Sequence, residues 1–386
     1  MPIYPNLPLS GVKVIEFCSV AAGPFCGMLL ADMGAEVIKV EPPAGDTLRQ
    51  WPPINEGFSE NFASLNRNKH SFVLDLKNEA DQQLARKLVL SADVLVENNR
   101  PGVMDRLNLG AESFKKEHPD LVYCSISAFG QDGPRANEGG FDVTIQAASG
   151  VMSVTGEADG GPVKCGVPIS DFASGLYAAF SISSALMKVK NGQGGSRIDI
   201  SMLGCTLGIA ALQTSEFFGT GINPIKLGAA HPRNAPYEAF KSRDGYFVIA
   251  AGNQKLWKSV CDVTELPELF NDPRFATTLD RAKNQKILKA LLEAKFVTQD
   301  TDYWIQVFKE AAVPHSRIND YETALSDPQV QHMGWVQEIT LPNGAQTKTF
   351  ISPIRIDNNN LPVRLPPPEK GADNHRFVSG LLKEEA

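Results

Sequence analysis

The chain reads as an α/β protein built on an open, doubly wound parallel sheet, followed by a second, smaller domain of mixed strands and short helices. Three observations predict this. Short β-rich apolar runs alternate with helical patterns over the first third of the chain. The intervals between runs are long enough for crossover helices, which parallel strands require. Apolar residues (42%) and charged residues (21%) stand at ordinary globular levels, which disfavours disorder and coiled coil.

The elements follow in order. VKVIEF (12–17) is a short buried strand ended by a small-residue turn, and 24–34 is a helix with Pro24 in its first turn and Gly34 at its end. EVIKVE (36–41) completes a βαβ unit. The alternation continues through SFVLDL (71–76), a polar helix at 78–91, VLVEN (94–98), a helix near 111–117 and LVYCSISAF (121–129). Residues 131–170 are rich in Gly and Pro and read as loop. A long helix over 171–190, a strand at 197–202 and a helix over 203–219 come next, then a turn-rich linker at 221–236. Strands near 237–250 and more highly charged short helices up to 320 mark the second domain, and the proline cluster Leu365–Pro368 reads as surface wrapping.

Charge and motif content exclude several functions. Lys and Arg number 37 against 44 Asp and Glu, a net charge of −7, which offers no basic excess for nucleic acid. The six cysteines, Cys18, Cys26, Cys124, Cys165, Cys205 and Cys261, form no C-x-x-C pair and suit reduced thiols, so a cytoplasmic location is expected. The opening residues carry no basic-then-apolar leader, and no run of about 20 uninterrupted apolar residues predicts a membrane span. The six histidines include no i, i+3 or i, i+4 pair, so no metal site is expected. AAGPFCG (21–27) after the first strand lacks the glycine spacing of a dinucleotide loop, and G-x-S-x-G and P-loop motifs are absent.

GPVKCGVPISDFASGLYAAFSISSALM (161–187) carries the most information. Asp171 opens an apolar helix directly after an extended, Pro-containing segment. It reads either as a helix N-cap or as a nucleophilic carboxylate aimed out of a strand-to-helix turn. Ser174 and Gly175 allow another backbone or a ligand to come close.

Several long segments in the same order resemble the class III CoA-transferases, the family that includes formyl-CoA transferase and the carnitine-CoA transferase. They are LSGVKVIEF…VAAGPFCGMLLADMGAEVIKVEPP, NRNKHSFVLDLK, ADVLVENNRPGVMDRLNLG, LVYCSISAFGQDGP, FDVTIQAASGVMSVTG, VPISDFASGLYAAFSISSAL, GQGGSRIDISML, NAPYEAFKSRDGYFVIAAGNQKLW and NDPRFAT. The resemblance implies a Rossmann-like large domain assembled from both ends of the chain. On this basis residues 1–220 form its N-terminal part, 221–325 the smaller α+β domain, and 326–386 a segment returning to the large domain. It implies an interlocked homodimer, and Asp171 as the catalytic aspartate. It implies that CoA is held by Val20, Ala21 and Ala22 of the first turn; by Leu74, Asp75, Leu76 and Lys77; by Asn98, Asn99, Arg100 and Arg106; and by Ala128, Phe129 and Gly130. Arg100, Arg106 and Lys77 supply charge for the phosphates, an Arg fork being the best match. No cofactor beyond the CoA thioester substrate is expected.

Three positions depart from formyl-CoA transferase: Pro42 replaces an arginine, Ala21 replaces a glutamine, and AAHPRNAPYEAF lacks its glycine run. The nearer resemblance is to relatives with an LG…HP…APY…F segment, which handle acetyl, succinyl and small dicarboxylic groups. The expected reaction moves CoA from a small acyl-CoA to a free mono- or dicarboxylic acid through an aspartyl intermediate. One alternative is a 2-methylacyl-CoA racemase on the same fold. Phe141 stands where a racemase carries a histidine, and phenylalanine transfers no proton; Glu238 or Asp142 would have to serve instead. The other alternative is a non-catalytic acyl-CoA-binding protein.

Overall fold

The computed structural model describes residues 7–383. The chain divides into two compact units. The first runs up to Val151 and includes Lys164–Ile222 and the chain from Pro328 onward; the second comprises Met152–Val163 and Asn223–Asp327.

The first unit is organised by six parallel strands: β1 (Lys13–Phe17), β2 (Glu36–Glu41), β3 (Lys69–Val73), β4 (Val94–Glu97), β5 (Val122–Ser127) and β6 (Ser196–Ser201). Their order in the sheet is β3-β2-β1-β4-β5-β6. The chain builds outward from β1 in one direction and then returns to build outward in the other, so the order reverses between β1 and β4. In open α/β sheets ligands bind at such a reversal, beyond the carboxyl ends of the strands.

Alternation along each strand explains why both faces are covered. Val14, Val37, Val94, Val96, Val122 and Cys124 belong to one apolar cluster. Their neighbours Ile15, Ile38, Leu95 and Tyr123 belong to the other, on the opposite face. α1 (Ala22–Asp32) and, further along the chain, α5 (Ile169–Lys190) cover the first face; α2 (Glu79–Leu90) covers the second. Gly175 of α5 permits close packing on α1, because a Cβ there would lie 2.8 Å from the Ala22 carbonyl oxygen. By length and composition α5 is apolar enough to cross a membrane. It is also the crossover between β5 and β6, with Ala178 and Ile182 buried on the sheet.

Other elements differ from the sequence reading. The expected helix near 111–117 is a single turn at Ala111–Phe114, preceded by an unexpected turn, α3 (Val103–Arg106). The Gly/Pro-rich segment read as loop contains α4 (Asp142–Ala148), because Phe141 and Thr144 close its first turn with hydrogen bonds of 2.8–2.9 Å. The helix expected over 203–219 is two, α6 (Met202–Ile209) and α7 (Ala211–Thr220). They part at Ala210, whose N–H is shared between the carbonyls of Thr206 and Leu207.

The second unit has an antiparallel sheet of β7 (Tyr237–Lys241), β8 (Tyr246–Ala250) and β9 (His315–Arg317), in the order β9-β8-β7. Its aromatic core includes Trp257, Phe296, Trp304 and Phe308.

After it, the hairpin β10 (Val336–Thr340) and β11 (Gln346–Phe350) belongs to the first unit, as does the terminal helix α8 (Asn374–Lys383). The tail is more than surface wrapping. Pro367 and Pro368 are buried, and Phe377 enters the core beside Phe72. The tail covers the outer edge of β3, where Asp373 Oδ2 accepts the Ser71 N–H (3.0 Å) and Asn374 Oδ1 that of Val73 (2.8 Å).

Candidate active site

Two clefts open in the first unit around the reversal point of the sheet. One, of about 450 Å³, is walled by Ser19–Ala22, Asn98–Pro101, Ile126–Ala128, Glu138–Phe141, Thr144, Asp171 and Met202. The other, of about 400 Å³, lies against the ends of β1, β2 and β3, and its wall includes Glu41, Pro42, Asp46 and Leu74–Lys77. Ser19 and Asn99 line both, so the clefts adjoin.

Asp171 is the third residue of α5; the helix starts at Ile169 and Pro168 flanks it, with no side-chain cap. The N-cap reading therefore fails at the level of geometry. Asp142 of α4 does the capping instead: its Oδ1 accepts the Ser170 N–H at 2.9 Å, and its Oδ2 accepts from Gln146 Nε2 at 2.6 Å. Gln146 is fully buried and its Oε1 accepts the Cys165 N–H at 2.8 Å, tying the approach to α5 down on α4. With the helix N-terminus served from outside, the Asp171 carboxylate has no hydrogen-bond partner among the described residues. Burial, helped by the nearby Asp142 charge, pushes its pKa up to about 7. A carboxylate partly withdrawn from water, without donors and lining a cleft, is the arrangement of a candidate functional group and unlike that of a structural acid.

The turn joining β1 to α1 forms the wall of the first cleft and is tightly held. Val20 has φ +67°, a left-handed conformation unusual for a β-branched residue. Asn98 clamps the preceding residue, accepting the Ser19 N–H (3.0 Å) and donating to the Ser19 carbonyl (2.9 Å). Beneath lies a buried charge cluster. Lys39 Nζ meets Glu16 (3.0 Å) and Asp46 (2.8 Å) and donates to the Cys18 carbonyl (2.7 Å). Lys69 meets the other Glu16 oxygen at 2.9 Å. Two cations thus face two carboxylates. Burial works against the charge on Lys39, but Glu16 and Asp46 outweigh it and leave its pKa above the ordinary lysine value. Burial likewise opposes the Asp46 charge, yet Lys39 brings its pKa below the usual carboxylate range.

The residues expected to hold CoA divide between the clefts. Val20, Ala21, Ala22, Asn98, Asn99, Arg100 and Ala128 line the first; Leu74, Asp75, Leu76, Lys77 and again Asn99 line the second. Arg106, at the exposed end of α3, lines neither. Nor do Phe129, which lies under the Arg135 guanidinium at 3.8 Å, and Gly130, whose N–H is bound to Ser127. Arg100 has no acidic partner among the described residues. Its guanidinium lies against Gly139, where a Cβ would come within 2.9 Å of it.

Sequence reasoning missed the glycine pair Gly139 and Gly140 on the cleft wall. Adjacent glycines inside the Gly/Pro-rich run were the available signal, and they suit close approach as well as loop formation. Phe141 is 74% exposed at the cleft rim. Glu238 belongs to the second unit, where it pairs with Lys289 at 2.7 Å. No group of three or more metal-ligating side chains comes together among the described residues.

A sequence model of CoA-transferase family III matches residues 9–374. The mouse succinyl-CoA:glutarate CoA-transferase is 35% identical, over 97% of this chain and 87% of its own. The acetyl-CoA:oxalate CoA-transferase of Acetobacter aceti is 41% identical over 85% of each. Among solved structures, a CAIB/BAIF family protein from Brucella suis superposes with a TM-score of 0.86 at 37% identity, covering 97% of this chain and all of that one. An unpartnered aspartate in a cleft beside the reversal point of a Rossmann-type sheet thus sits in a chain that belongs to CoA-transferase family III and is a CoA-transferase.

Proposed function

We propose that the enzyme moves CoA from a small acyl-CoA, such as acetyl- or succinyl-CoA, to a free dicarboxylic acid through covalent intermediates on Asp171. The observation that carries this is the unpartnered Asp171 carboxylate in the first cleft, with its pKa raised to about 7. Relatives named for glutarate and oxalate transfer support dicarboxylic acceptors. The unpaired Arg100 supplies a cation to the same cleft.

An Asp171 oxygen attacks the thioester carbonyl carbon; the C–S bond breaks, giving a mixed anhydride and CoA thiolate. The thiolate attacks the aspartyl carbonyl, the anhydride C–O bond breaks, and the donor leaves as a free carboxylate. The acceptor carboxylate attacks the aspartyl thioester and releases the thiolate. The thiolate then takes the acceptor acyl group and restores Asp171. Burial favours the first attack, because acylation removes a charge that the cleft solvates poorly. Every intermediate remains an activated acyl group, so no ATP is consumed. The N–H groups of Ala22 and Gly140, both on the cleft wall, are the candidates to receive the developing oxyanions.

We also propose the interlocked homodimer that the family resemblance implies. Broad apolar faces on α5 and α7 support a second copy, with Phe180 72% and Phe218 82% exposed. Six unpaired cysteines support a reducing, cytoplasmic setting.

The test supplies acetyl- or succinyl-CoA with oxalate or glutarate and follows new acyl-CoA by mass. Hydroxylamine quenching should mark Asp171, and Asp171→Ala should fold yet lose several orders of magnitude in turnover. Retention of more than about a tenth of the rate would rule out the covalent route. Enzyme-dependent deuterium entry at the α-carbon without CoA exchange would point to the racemase reaction. CoA binding with no turnover would point to a binding protein.

A further inference from the structure

The Ser19–Ala22 turn adopts a conformation that its own sequence does not favour. Val20 carries two γ-methyl groups, and at φ +67° these crowd the backbone in a way that glycine would avoid. Such an outlier persists only when its surroundings determine it from several sides. Here three side chains hold consecutive backbone groups. Lys39 takes the Cys18 carbonyl, Asn98 takes both polar groups of Ser19, and Asp46 Oδ1 takes the Val20 N–H at 3.2 Å.

Asp46 is the one that grips the strained residue, and it is itself fixed at every polar atom, its carbonyl accepting the Arg49 N–H at 3.0 Å. Its N–H is bound by Glu41 (2.9 Å), its Oδ1 also receives the Leu48 N–H (2.9 Å), and its Oδ2 faces Lys39 at 2.8 Å. Glu41 is in turn held by Arg49 and by Ser71, both at 2.6 Å. A polar path therefore runs from the sheet to a turn that lines the cleft together with Asn98 and Arg100.

We propose that Asp46 is a positioning residue of the transfer reaction: it holds Val20 left-handed and thereby presets the cleft wall before acyl-CoA arrives. The proposal rests on the reading of that cleft as the site of acyl transfer. It separates the duties of the buried cluster. Glu16 bridges Lys39 and Lys69 within the sheet, whereas Asp46, besides pairing with Lys39, links the cluster to the cleft-lining turn.

The test compares wild type, Asp46→Ala, Asp46→Asn and Asp46→Ala/Val20→Gly by steady-state kinetics and by amide hydrogen exchange without substrate. Asp46→Ala should lower kcat/KM for acyl-CoA at least about tenfold. The Val20 amide should exchange at least about tenfold faster, while those of Val14 and Ile15 in β1 stay protected. Adding Val20→Gly should recover about threefold or more of the lost kcat/KM, because glycine accepts the conformation unaided. Loss of a merely structural ion pair would produce no such rescue. If Asp46→Ala does not fold, Asp46→Asn, which keeps an oxygen for the Val20 N–H, should retain slow Val20 exchange. Unchanged Val20 exchange in Asp46→Ala, fast exchange in Asp46→Asn, or no rescue by Val20→Gly would each overturn the proposal. If wild type transfers no CoA, the functional reading fails and the exchange measurements still decide the role of Asp46.

Discussion

Asp46 and Asp171 are both carboxylates withdrawn from water in the same unit, and they have opposite surroundings. Asp46 faces a buried ammonium and receives two backbone N–H groups, and its pKa is lowered. Asp171 receives nothing, stands near another carboxylate, and has a pKa of about 7. The difference teaches where the fold spends its polar partners. Four buried charges beneath the turn are matched two against two, so each is costly to remove and chemically quiet. At the cleft the partners are withheld: Asp142 serves the start of α5 in place of Asp171, and the Asp171 carboxylate is left uncompensated.

Breaking the matched side should have the larger effect on stability. Lys39→Met strands Asp46 and half of Glu16 in the interior. It should cost about 3–5 kcal/mol in urea unfolding, the usual penalty for removing one member of a buried pair. A loss below about 1 kcal/mol would mean that water reaches the cluster and that the match is not what holds it.

The unmatched side should respond with the opposite sign. The Asp171 pKa is raised in the folded state from an ordinary 3.8 to about 7. Below pH 4 the group is protonated whether folded or not and costs nothing. Between pH 4 and 7 the folded state binds more protons, so stability falls as pH rises, and above 7 the full cost is present. Asp171→Asn should therefore stabilise the protein, by on the order of 1–3 kcal/mol at pH 8 and by little near pH 4. Thermal melts across that range check it; a gain that does not grow with pH would contradict the uncompensated state. In the same pH window kcat/KM should rise through about pH 7 as Asp171 ionises.

The smallest effect sharpens the comparison on the cation side. Arg100 lines the cleft without an acidic partner, whereas Arg106 lies outside both clefts. Arg100→Ala should raise the apparent KM for acyl-CoA or for the acceptor roughly tenfold, and Arg106→Ala by less. The reverse ranking would place the phosphate contact on α3.

The sheet was legible in the sequence because its strands are apolar on both faces and are separated by helical intervals, as at Val14–Ile15 and Val94–Val96. α4 was not, since the glycines before it dominate the local signal and its start depends on Thr144 reaching back to Phe141. The break at Ala210 was equally hidden, because the mostly apolar stretch from Met202 to Leu212 runs through it with no proline or charged residue to mark it. In the site, Asp171 stood out by its place after Pro168, but its lack of partners depends on Asp142, which is 29 positions earlier and reaches it only through the packing of α4 on α5. The pairing of Lys39 and Lys69 with Glu16 was out of reach for the same reason: lysines in a strand read as surface residues until the fold brings a carboxylate from another strand to them.

The closure of the β3 edge has a consequence for biosynthesis. Ser71 receives its outer partner from Asp373, 302 residues later. A nascent chain emerging from the ribosome at about 5–20 residues per second carries that edge uncovered for roughly 15–60 s. An open parallel edge is the part of a sheet most prone to pair with another chain. Synthesis of Asp373 and the helix after it therefore ends a period of exposure as well as completing the edge, and truncation before Asp373 would prolong that exposure for the lifetime of the molecule.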